Sequence, residues 1–304
     1  MTGRARWPLR IVALGYLALL IVIPVGSVFY RAFEHGFLAA WDAITTPEAT
    51  HALRLTLLVL VIAVPLDTIF GVGLALLLSR KRFRGSWLLE AFVDIPLAIS
   101  PVIVGLALVL AYGRTGWFGT LLAGWGIQII FSWPGIVMAS ATVALPYVVR
   151  SVLPVLQEIG TDQERAAATL GAGTWAIFRR ITFPSIRHGL AYGVTLTTAR
   201  VLGEFGAVAI VSGNVAERTQ TVTLFISDSV ENLNMVGAYA GAVVLALIAL
   251  GVLAMLGRHS NQPRKHSVEE PVGEVLGAEL PRTGPSLVAL ATDVPLRAEG
   301  RHRP

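Results

Sequence analysis

About six apolar stretches, each long enough to cross a lipid bilayer, dominate this 304-residue sequence. A membrane-spanning helix needs roughly 20 apolar residues in a row. The stretches cover residues 11–29, 53–78, 92–112, 133–156, 189–211 and 235–256. Only 14% of the residues are charged, whereas soluble domains carry roughly 25%. The sequence therefore predicts an all-α, polytopic membrane protein with about six transmembrane helices.

Basic residues are distributed unevenly between the two predicted sides of the membrane. One side carries the N-terminal arginines, a basic second loop, the loop after the fourth stretch and the start of the tail. The residues on that side are Arg4, Arg6, Arg10, Arg80, Lys81, Arg82, Arg84, Arg150, Arg165, Arg179, Arg180, Arg187, Arg258, Arg264 and Lys265. The opposite side carries only Arg31, Arg54, Arg114 and Arg218. Because cytoplasmic loops are enriched in Lys and Arg, both termini are predicted to be cytoplasmic.

The pattern divides the chain into three parts. Residues 1–52 form an N-terminal anchor helix and a first external loop, and residues 53–257 form a transmembrane domain with a cytoplasmic loop at 158–187. Residues 258–304 are rich in Pro, Glu, Gly and Arg, a composition typical of a disordered cytoplasmic tail. The net charge of +5 follows from the positive-inside distribution and does not indicate nucleic-acid binding.

Several kinds of chemistry are missing from the sequence. There are no cysteines, and the six histidines lack the spacing of metal ligands, so no metal site is predicted. There is no Gly-rich loop of the type that cradles ATP phosphates. No paired His or Asp metal site and no nucleophile constellation is visible either. We expect a non-catalytic membrane subunit that binds no cofactor itself.

The predicted cytoplasmic loop is unusually well patterned for a connection between two membrane helices. An Ala-rich charged segment, 164–170, is closed by Gly171, and a second apolar and basic segment is closed by Pro184. This order predicts a helix, a turn and a second helix. Gly171 is expected to end the first helix in the left-handed conformation. Pro184 is expected to separate the loop from the next membrane helix.

The loop resembles the EAA loop of bacterial ABC importer permeases, which has the pattern E-A-A, three residues, G, nine residues, I-x-L-P. Five positions fall on this pattern: Ala166, Ala167, Gly171, Ile181 and Pro184. Arg165 stands where the family has Glu, Glu164 lies one position earlier, and Phe183 replaces Leu. The resemblance implies a type I ABC importer permease (MetI-like) fold. It also implies that Glu164, Arg165 and the matching positions couple the chain to a cytoplasmic ATPase.

Further blocks resemble the CysW family of sulfate/thiosulfate permeases. They lie at 94–105, 112–119, 129–137 and 199–213. This resemblance implies a permease subunit of a sulfate or thiosulfate importer in the cytoplasmic (inner) membrane. The implied partners are a CysT-like permease, two CysA-like ATPase subunits that hold Mg-ATP, and an extracytoplasmic sulfate-binding protein.

Four polar residues in the predicted spans are candidates for the translocation pathway or a gate: Arg200, Glu204, Ser100 and Thr197. Arg200 and Glu204 are one helical turn apart, so they can form an ion pair that lowers the cost of both charges in the membrane. Asp67 is a competing partner for Arg200. The alternative is that the ion pair only holds helices together, and that the hydroxyls bond to backbone carbonyls.

Other functions stay open at the level of sequence. A molybdate or tungstate permease would share the block around Arg200 and Glu204. An ion-coupled secondary anion transporter could use Arg200, Glu204 and Asp67 without any ATPase. Transport assays with different anions and with an ion gradient would distinguish these functions.

Overall fold

The computed structural model describes residues 6–80 and 84–260, and in these residues every regular element is helical. The predicted tail beyond residue 260 lies outside the described residues. The α-helices are α1 (Arg6–Leu17), α2 (Ile23–Phe33), α3 (Phe37–Ile44), α4 (Pro47–Arg80), α5 (Ser86–Ala98), α6 (Pro101–Tyr112), α7 (Gly119–Gly124), α8 (Trp133–Ile159), α9 (Asp162–Thr169), α10 (Thr174–Ile177), α11 (Phe183–Leu202), α12 (Gly206–Ser212), α13 (Val222–Glu231) and α14 (Met235–Ser260). Two π-helical segments, Ala18–Val22 and Phe178–Thr182, join α1 to α2 and α10 to α11.

Four of the predicted spans are continuous helices that are long and apolar enough to cross a membrane. They cover Arg10–Phe33, Pro47–Arg80, Trp133–Ile159 and Met235–Leu256. The second of them begins at Pro47, so a single helix runs through the predicted domain boundary at 52 and 53. The prediction of a multi-pass helical membrane protein is confirmed.

The other two predicted spans are broken, which the apolar pattern did not indicate. The stretch 92–112 is divided between α5 and α6, which meet at a bend of 116°. The stretch 189–211 is divided between α11 and α12, with a bend of 53°. Counting each bent pair as one span gives up to six spans in the described part of the chain. The six predicted apolar stretches therefore correspond to four continuous helices and two bent pairs.

Helix α8 lies at the centre of the described bundle. In its most apolar window 61% of the residues are buried, against 17% in α14 and 0% in the first span. A core cluster joins α4, α8, α11 and α12 through Val59, Ala63, Ile136, Val201 and Val208. Because lipid removes most of the hydrophobic advantage of burial, close packing is what holds membrane helices together.

Glycine permits the closest of these contacts. A Cβ on Gly71 of α4 would lie 2.7 Å from the side chain of Val148 in α8. A Cβ on Gly105 of α6 would lie 2.8 Å from the carbonyl oxygen of Ala207 in α12. Two broken spans and the central pair α4 and α8 are thus held at distances that no larger residue allows.

Candidate functional site

The patterned loop forms a compact hook, residues 160–184, at the end of the bundle where α4 and α8 stop. Its first helix, α9, ends in the arrangement predicted for Gly171, which has a φ of +82°. The N–H of Ala172 donates to the carbonyl of Ala167, and the N–H of Gly171 donates to the carbonyl of Ala168, both at 3.0 Å. These two bonds define a Schellman motif. The helix, the turn and the left-handed glycine are confirmed.

The second half of the hook differs from the prediction. Thr174–Leu202 is one helical segment, in which α10 passes through the π-helical turn Phe178–Thr182 into α11. Helix α11 begins at Phe183, so Pro184 lies in its first turn and does not interrupt the helix. The N–H of Phe183 bonds to the carbonyl of Phe178, five residues back. A local π-helical turn is a known way to absorb a proline and its missing N–H, so the prediction of a break here was wrong.

Glu164 faces the membrane part of the chain. Its Oε1 atom lies 2.8 Å from Nη2 of Arg80, the last residue of α4, and accepts a hydrogen bond of 2.7 Å from the hydroxyl of Thr182. Arg80 also donates to the carbonyls of Gly160, at 2.8 Å, and Leu156, at 3.3 Å. The side chains of Arg80 and Glu164 are only 18% and 20% exposed. This cluster, the Arg80–Glu164 clamp, ties the hook to α4, α8 and α11.

The outer surface of the hook combines small, apolar and basic side chains. Leu170 and Trp175 are 89% and 72% exposed. Arg165 and Ala166 are exposed on α9, while Ala167 and Ile181 are half-buried. Exposed large apolar side chains of this kind mark a surface that contacts another protein or the membrane. Leu170 and Trp175 were not predicted as site residues. The available signal was that both are large apolar residues inside the patterned loop, one beside Gly171 and one in the second segment.

The two broken spans lie side by side. Gly206, the first residue of α12, is so close to Pro101, the first residue of α6, that an added Cβ would lie 3.2 Å from the Pro101 side chain. Ser100 precedes Pro101 in extended conformation and is exposed. Gly203 and Phe205, at the second break, are also exposed. Non-helical backbone at membrane depth must be covered by protein or line an aqueous cavity.

The predicted pair Arg200–Glu204 forms at the second break. Arg200 Nη1 lies 2.7 Å from Glu204 Oε2, and the side chains are 26% and 1% exposed. Glu204 Oε1 accepts a hydrogen bond of 2.8 Å from the N–H of Ala207 in the first turn of α12. The carboxylate thus caps a helix N-terminus, where negative charge is favoured, and Arg200 neutralises it.

Thr197 and Asp67, two other polar residues considered in the predicted spans, are both buried and form no hydrogen bond with this ion pair. Thr197 is fully buried in α11, and its hydroxyl has no hydrogen-bond partner among the described residues. Asp67 is 2% exposed in α4 and lines a groove of about 380 Å³ between α4 and α8. Arg200 therefore pairs with Glu204 and not with the competing Asp67.

A second ion pair in the membrane part was not predicted. Arg150 lies within α8, although we counted it with the loop charges, and it pairs with Asp94 of α5. Nε of Arg150 donates to Asp94 Oδ1 at 2.8 Å, and Nη2 lies 2.7 Å from Oδ2. The side chains are 60% and 32% exposed. Exposure of such charges to lipid costs about 2.5–3.5 kcal/mol each on insertion scales, so this face contacts water or protein.

Within the described residues, no three His, Cys, Asp or Glu side chains are grouped so that they could hold a metal ion. The site is therefore a set of contacts and charges: the hook with its clamp, and two ion pairs beside broken helices. Such a set can bind a partner and guide ions, and the described residues contain no arrangement for covalent chemistry.

Comparisons with known proteins agree with this architecture. The chain is 46% identical over 254 residues to the sulfate transport system permease protein CysW of Synechocystis sp. PCC 6803, covering 84% of this chain and 92% of that protein. It is 33% identical over 249 residues to the permease protein CysT of Salmonella typhimurium, covering 82% and 89%. Its fold is similar to that in a crystal structure of a bacterial ABC transporter involved in alginate import, with a TM-score of 0.71, 18% identity and coverage of 84% and 94%.

A family model matches residues 67–265, which include the hook, both broken spans and both ion pairs. The higher identity to CysW than to CysT agrees with the resemblance noted in the sequence. The chain therefore belongs to the family of binding-protein-dependent transport system inner membrane components.

Proposed function

We propose that this chain is a transmembrane permease subunit of an ATP-driven sulfate/thiosulfate importer. It would form half of the translocation pathway and couple to a cytoplasmic ATPase through the hook. The observation that carries the proposal is the exposed surface of Leu170 and Trp175 on a hook that the Arg80–Glu164 clamp fixes to the bundle. The sulfate specificity is supported by the names of the relatives, which are sulfate permeases.

The proposed partners are a second, CysT-like permease, two CysA-like ATPase subunits and an extracytoplasmic sulfate-binding protein. Mg-ATP would be held by the ATPase subunits, and this chain would bind no cofactor. Both termini would be cytoplasmic, which places the basic hook on the same side as the ATPase. This orientation rests on the distribution of Lys and Arg in the sequence.

The mechanism is alternating access. Closure of the ATPase dimer on ATP moves the hook, and the hook moves the helices to which the clamp ties it. The pathway then opens outward to receive the anion from the binding protein, and hydrolysis returns it to the inward-facing state. The nucleotide drives this cycle only because it binds the two states with different affinity.

The candidate pathway residues have different parts in this proposal. Arg200 and Ser100 lie at the two breaks and are at least partly exposed, so they would contact the anion path. Glu204 and Thr197 are buried and would support the gate from inside the subunit. Residues 164–167, Gly171, Ile181 and Pro184 form the coupling element, in which Glu164 acts through the clamp.

The test is uptake by the complex reconstituted in proteoliposomes with its three kinds of partner. We expect ATP-dependent accumulation of radiolabelled sulfate and thiosulfate, with little accumulation of molybdate. Molybdate uptake in preference to sulfate would assign the alternative oxyanion. Uptake that needs an ion gradient and no ATPase would refute the proposal in favour of a secondary transporter.

A further inference from the structure

The Arg150–Asp94 pair is the most exposed pair of charges in the described helices that form the spans beyond the first. Arg150 lies nine positions before Ile159, so it is roughly 13 Å from the hook end of α8 at 1.5 Å per residue. Its guanidinium uses one edge for the two oxygens of Asp94. Nη1 makes no hydrogen bond or ion pair among the described residues, and the side chain as a whole is 60% exposed. The pair therefore offers a free donor group on α8, within a helix that is long and apolar enough to cross a membrane.

The surroundings of the pair argue against contact with lipid. Asp94 belongs to α5, and the same helix ends at the exposed break before Ser100. A second acid, Glu90, is exposed one turn before Asp94. A face that carries a carboxylate, an ion pair and an interrupted backbone needs water or protein beside it.

We propose that Arg150 is an anion-binding station on the aqueous pathway, with Asp94 as its resident counter-ion. The tetrahedral oxyanion takes the place of Asp94 on the guanidinium as it passes, and the carboxylate returns when the anion leaves. This inference rests on the proposed function for the class of substrate, an oxyanion such as sulfate.

The chemistry of the two side chains suits such a station. The planar fork of arginine binds carboxylates and tetrahedral oxyanions in the same two-point geometry. A pathway needs sites that bind well enough to admit an ion and weakly enough to release it. A carboxylate that competes for the same edge of the guanidinium keeps the affinity low, and it avoids leaving an unpaired charge when the site is empty.

Thiol labelling tests the first requirement, which is access to water. The chain has no cysteine, so a single introduced thiol reports one position of this subunit. Ala98 lies one turn after Asp94 on α5 and is exposed, so Ala98→Cys samples the same face. Ile69→Cys is the matched control, because Ile69 is 68% exposed on an apolar part of α4.

The measurement is the rate of modification by a small neutral methanethiosulfonate in the complex purified through a tag on an ATPase subunit. We expect the thiol of the Ala98→Cys variant to react and that of the Ile69→Cys variant to stay unreactive, since only a thiol in contact with water ionises. We also expect sulfate to slow the labelling of the Ala98→Cys variant, whereas chloride at equal ionic strength has no effect.

Substitutions in the Ala98→Cys background test the pair itself. Asp94→Asn removes the carboxylate that competes with sulfate, so half-maximal protection should need about fivefold less sulfate. This factor corresponds to the upper end of the interaction energies measured for exposed ion pairs. Arg150→Gln should abolish protection, and Arg150→Lys should keep a weaker form of it because a point charge remains without the fork. A purely structural pair would alter the amount of purified complex in these variants and leave the sulfate concentration for protection unchanged.

Two outcomes overturn the proposal. An unreactive thiol at position 98 in the assembled Ala98→Cys complex would show that another subunit covers this face. Equal protection in the parent, Asp94→Asn and Arg150→Lys backgrounds would show that the pair does not hold the anion. Failure of the proposed function is a separate result, because the complex without substitutions would then show no ATP-driven sulfate uptake.

Discussion

Removing the carboxylate of Glu164 is expected to loosen the hook without unfolding the membrane part. Glu164→Ala deletes two bonds at once, the ion pair with Arg80 and the hydrogen bond from Thr182. A hydrogen bond to a charged group contributes about 1.5–3 kcal/mol. Arg80 keeps its bonds to two backbone carbonyls, and the cluster is reached by water. For these two reasons we expect a net local loss of about 2 kcal/mol, less than the roughly 3–6 kcal/mol that two such bonds would contribute in full.

This loss should appear as weaker association with the ATPase. If the hook must be ordered again each time it docks, a cost of about 2 kcal/mol corresponds to a roughly 30-fold higher Kd. The assay is the Kd between the detergent-solubilised permease pair and the ATPase, measured by fluorescence titration. Hydrogen exchange of the amides of residues 165–172 gives a second readout, and it should accelerate in the variant.

The matched control is Glu158→Ala. Glu158 is exposed in the last turn of α8, and its side chain makes no hydrogen bond or ion pair with another described residue. Its replacement therefore changes the net charge equally and leaves the clamp intact. We expect Kd and exchange to stay near those of the parent protein. Unchanged exchange in residues 165–172 of Glu164→Ala, or an equal increase in both variants, would refute the clamp as the element that holds the hook.

Two further predictions concern single residues. Gly171→Ala should destabilise the hook by about 1–2 kcal/mol, because a left-handed backbone is costly for alanine. Gly173→Ala is the control and should have little effect. A Cβ fits at both positions, but only Gly171 has a positive φ. Hydrogen exchange of α9 in the two variants checks this, and equal behaviour would contradict it. Arg200→Ala should destabilise the bundle by about 3–5 kcal/mol, since it leaves the buried carboxylate of Glu204 without its cation. A thermal-unfolding assay measures this loss, with Arg200→Lys as the milder variant. An unchanged melting temperature in Arg200→Ala would show that the charge is not needed.

Local rules predicted the features that depend on neighbouring residues. The apolar length of the segments indicated the membrane class, and Gly171 after an Ala-rich segment indicated where α9 ends. The pair Arg200–Glu204 followed from a spacing of one turn. Each of these depends on contacts over a few residues, so the sequence alone carries the information.

Other features depend on contacts between residues that are far apart in the sequence, and local patterns do not predict such contacts. Arg80 and Glu164 are 84 residues apart, and Arg150 and Asp94 are 56 apart, so no periodicity links them. The break before Pro101 had a local signal, because a residue before proline avoids the helical conformation. A run of apolar residues on both sides concealed it, and the close packing of α6 against α12 that accompanies the bend joins residues about 100 positions apart.

A glycine in a membrane helix does not by itself identify a close contact. Gly71 and Gly73 both lie in α4, and small residues in such helices are typical of close helix packing. Gly71 contacts Val148, whereas a Cβ on Gly73 would meet no atom within 4 Å. The two differ only in the direction in which they face on the helix, and the neighbouring helix decides which direction matters.

The continuity of the segment Thr174–Leu202 explains how the hook and the second break can act together. The segment begins in the hook, passes the clamp at Thr182 and ends one residue before Gly203. At 1.5 Å per residue it is roughly 40 Å long, so a tilt at the hook becomes a displacement at Arg200. The break between α11 and α12 is bridged by the Glu204 carboxylate, which pairs with Arg200 and accepts the N–H of Ala207, and α12 also packs against α6 through Ala207 and Gly105. A tilt at the hook is therefore carried to the Glu204 carboxylate, the group that links the two halves of this bent span.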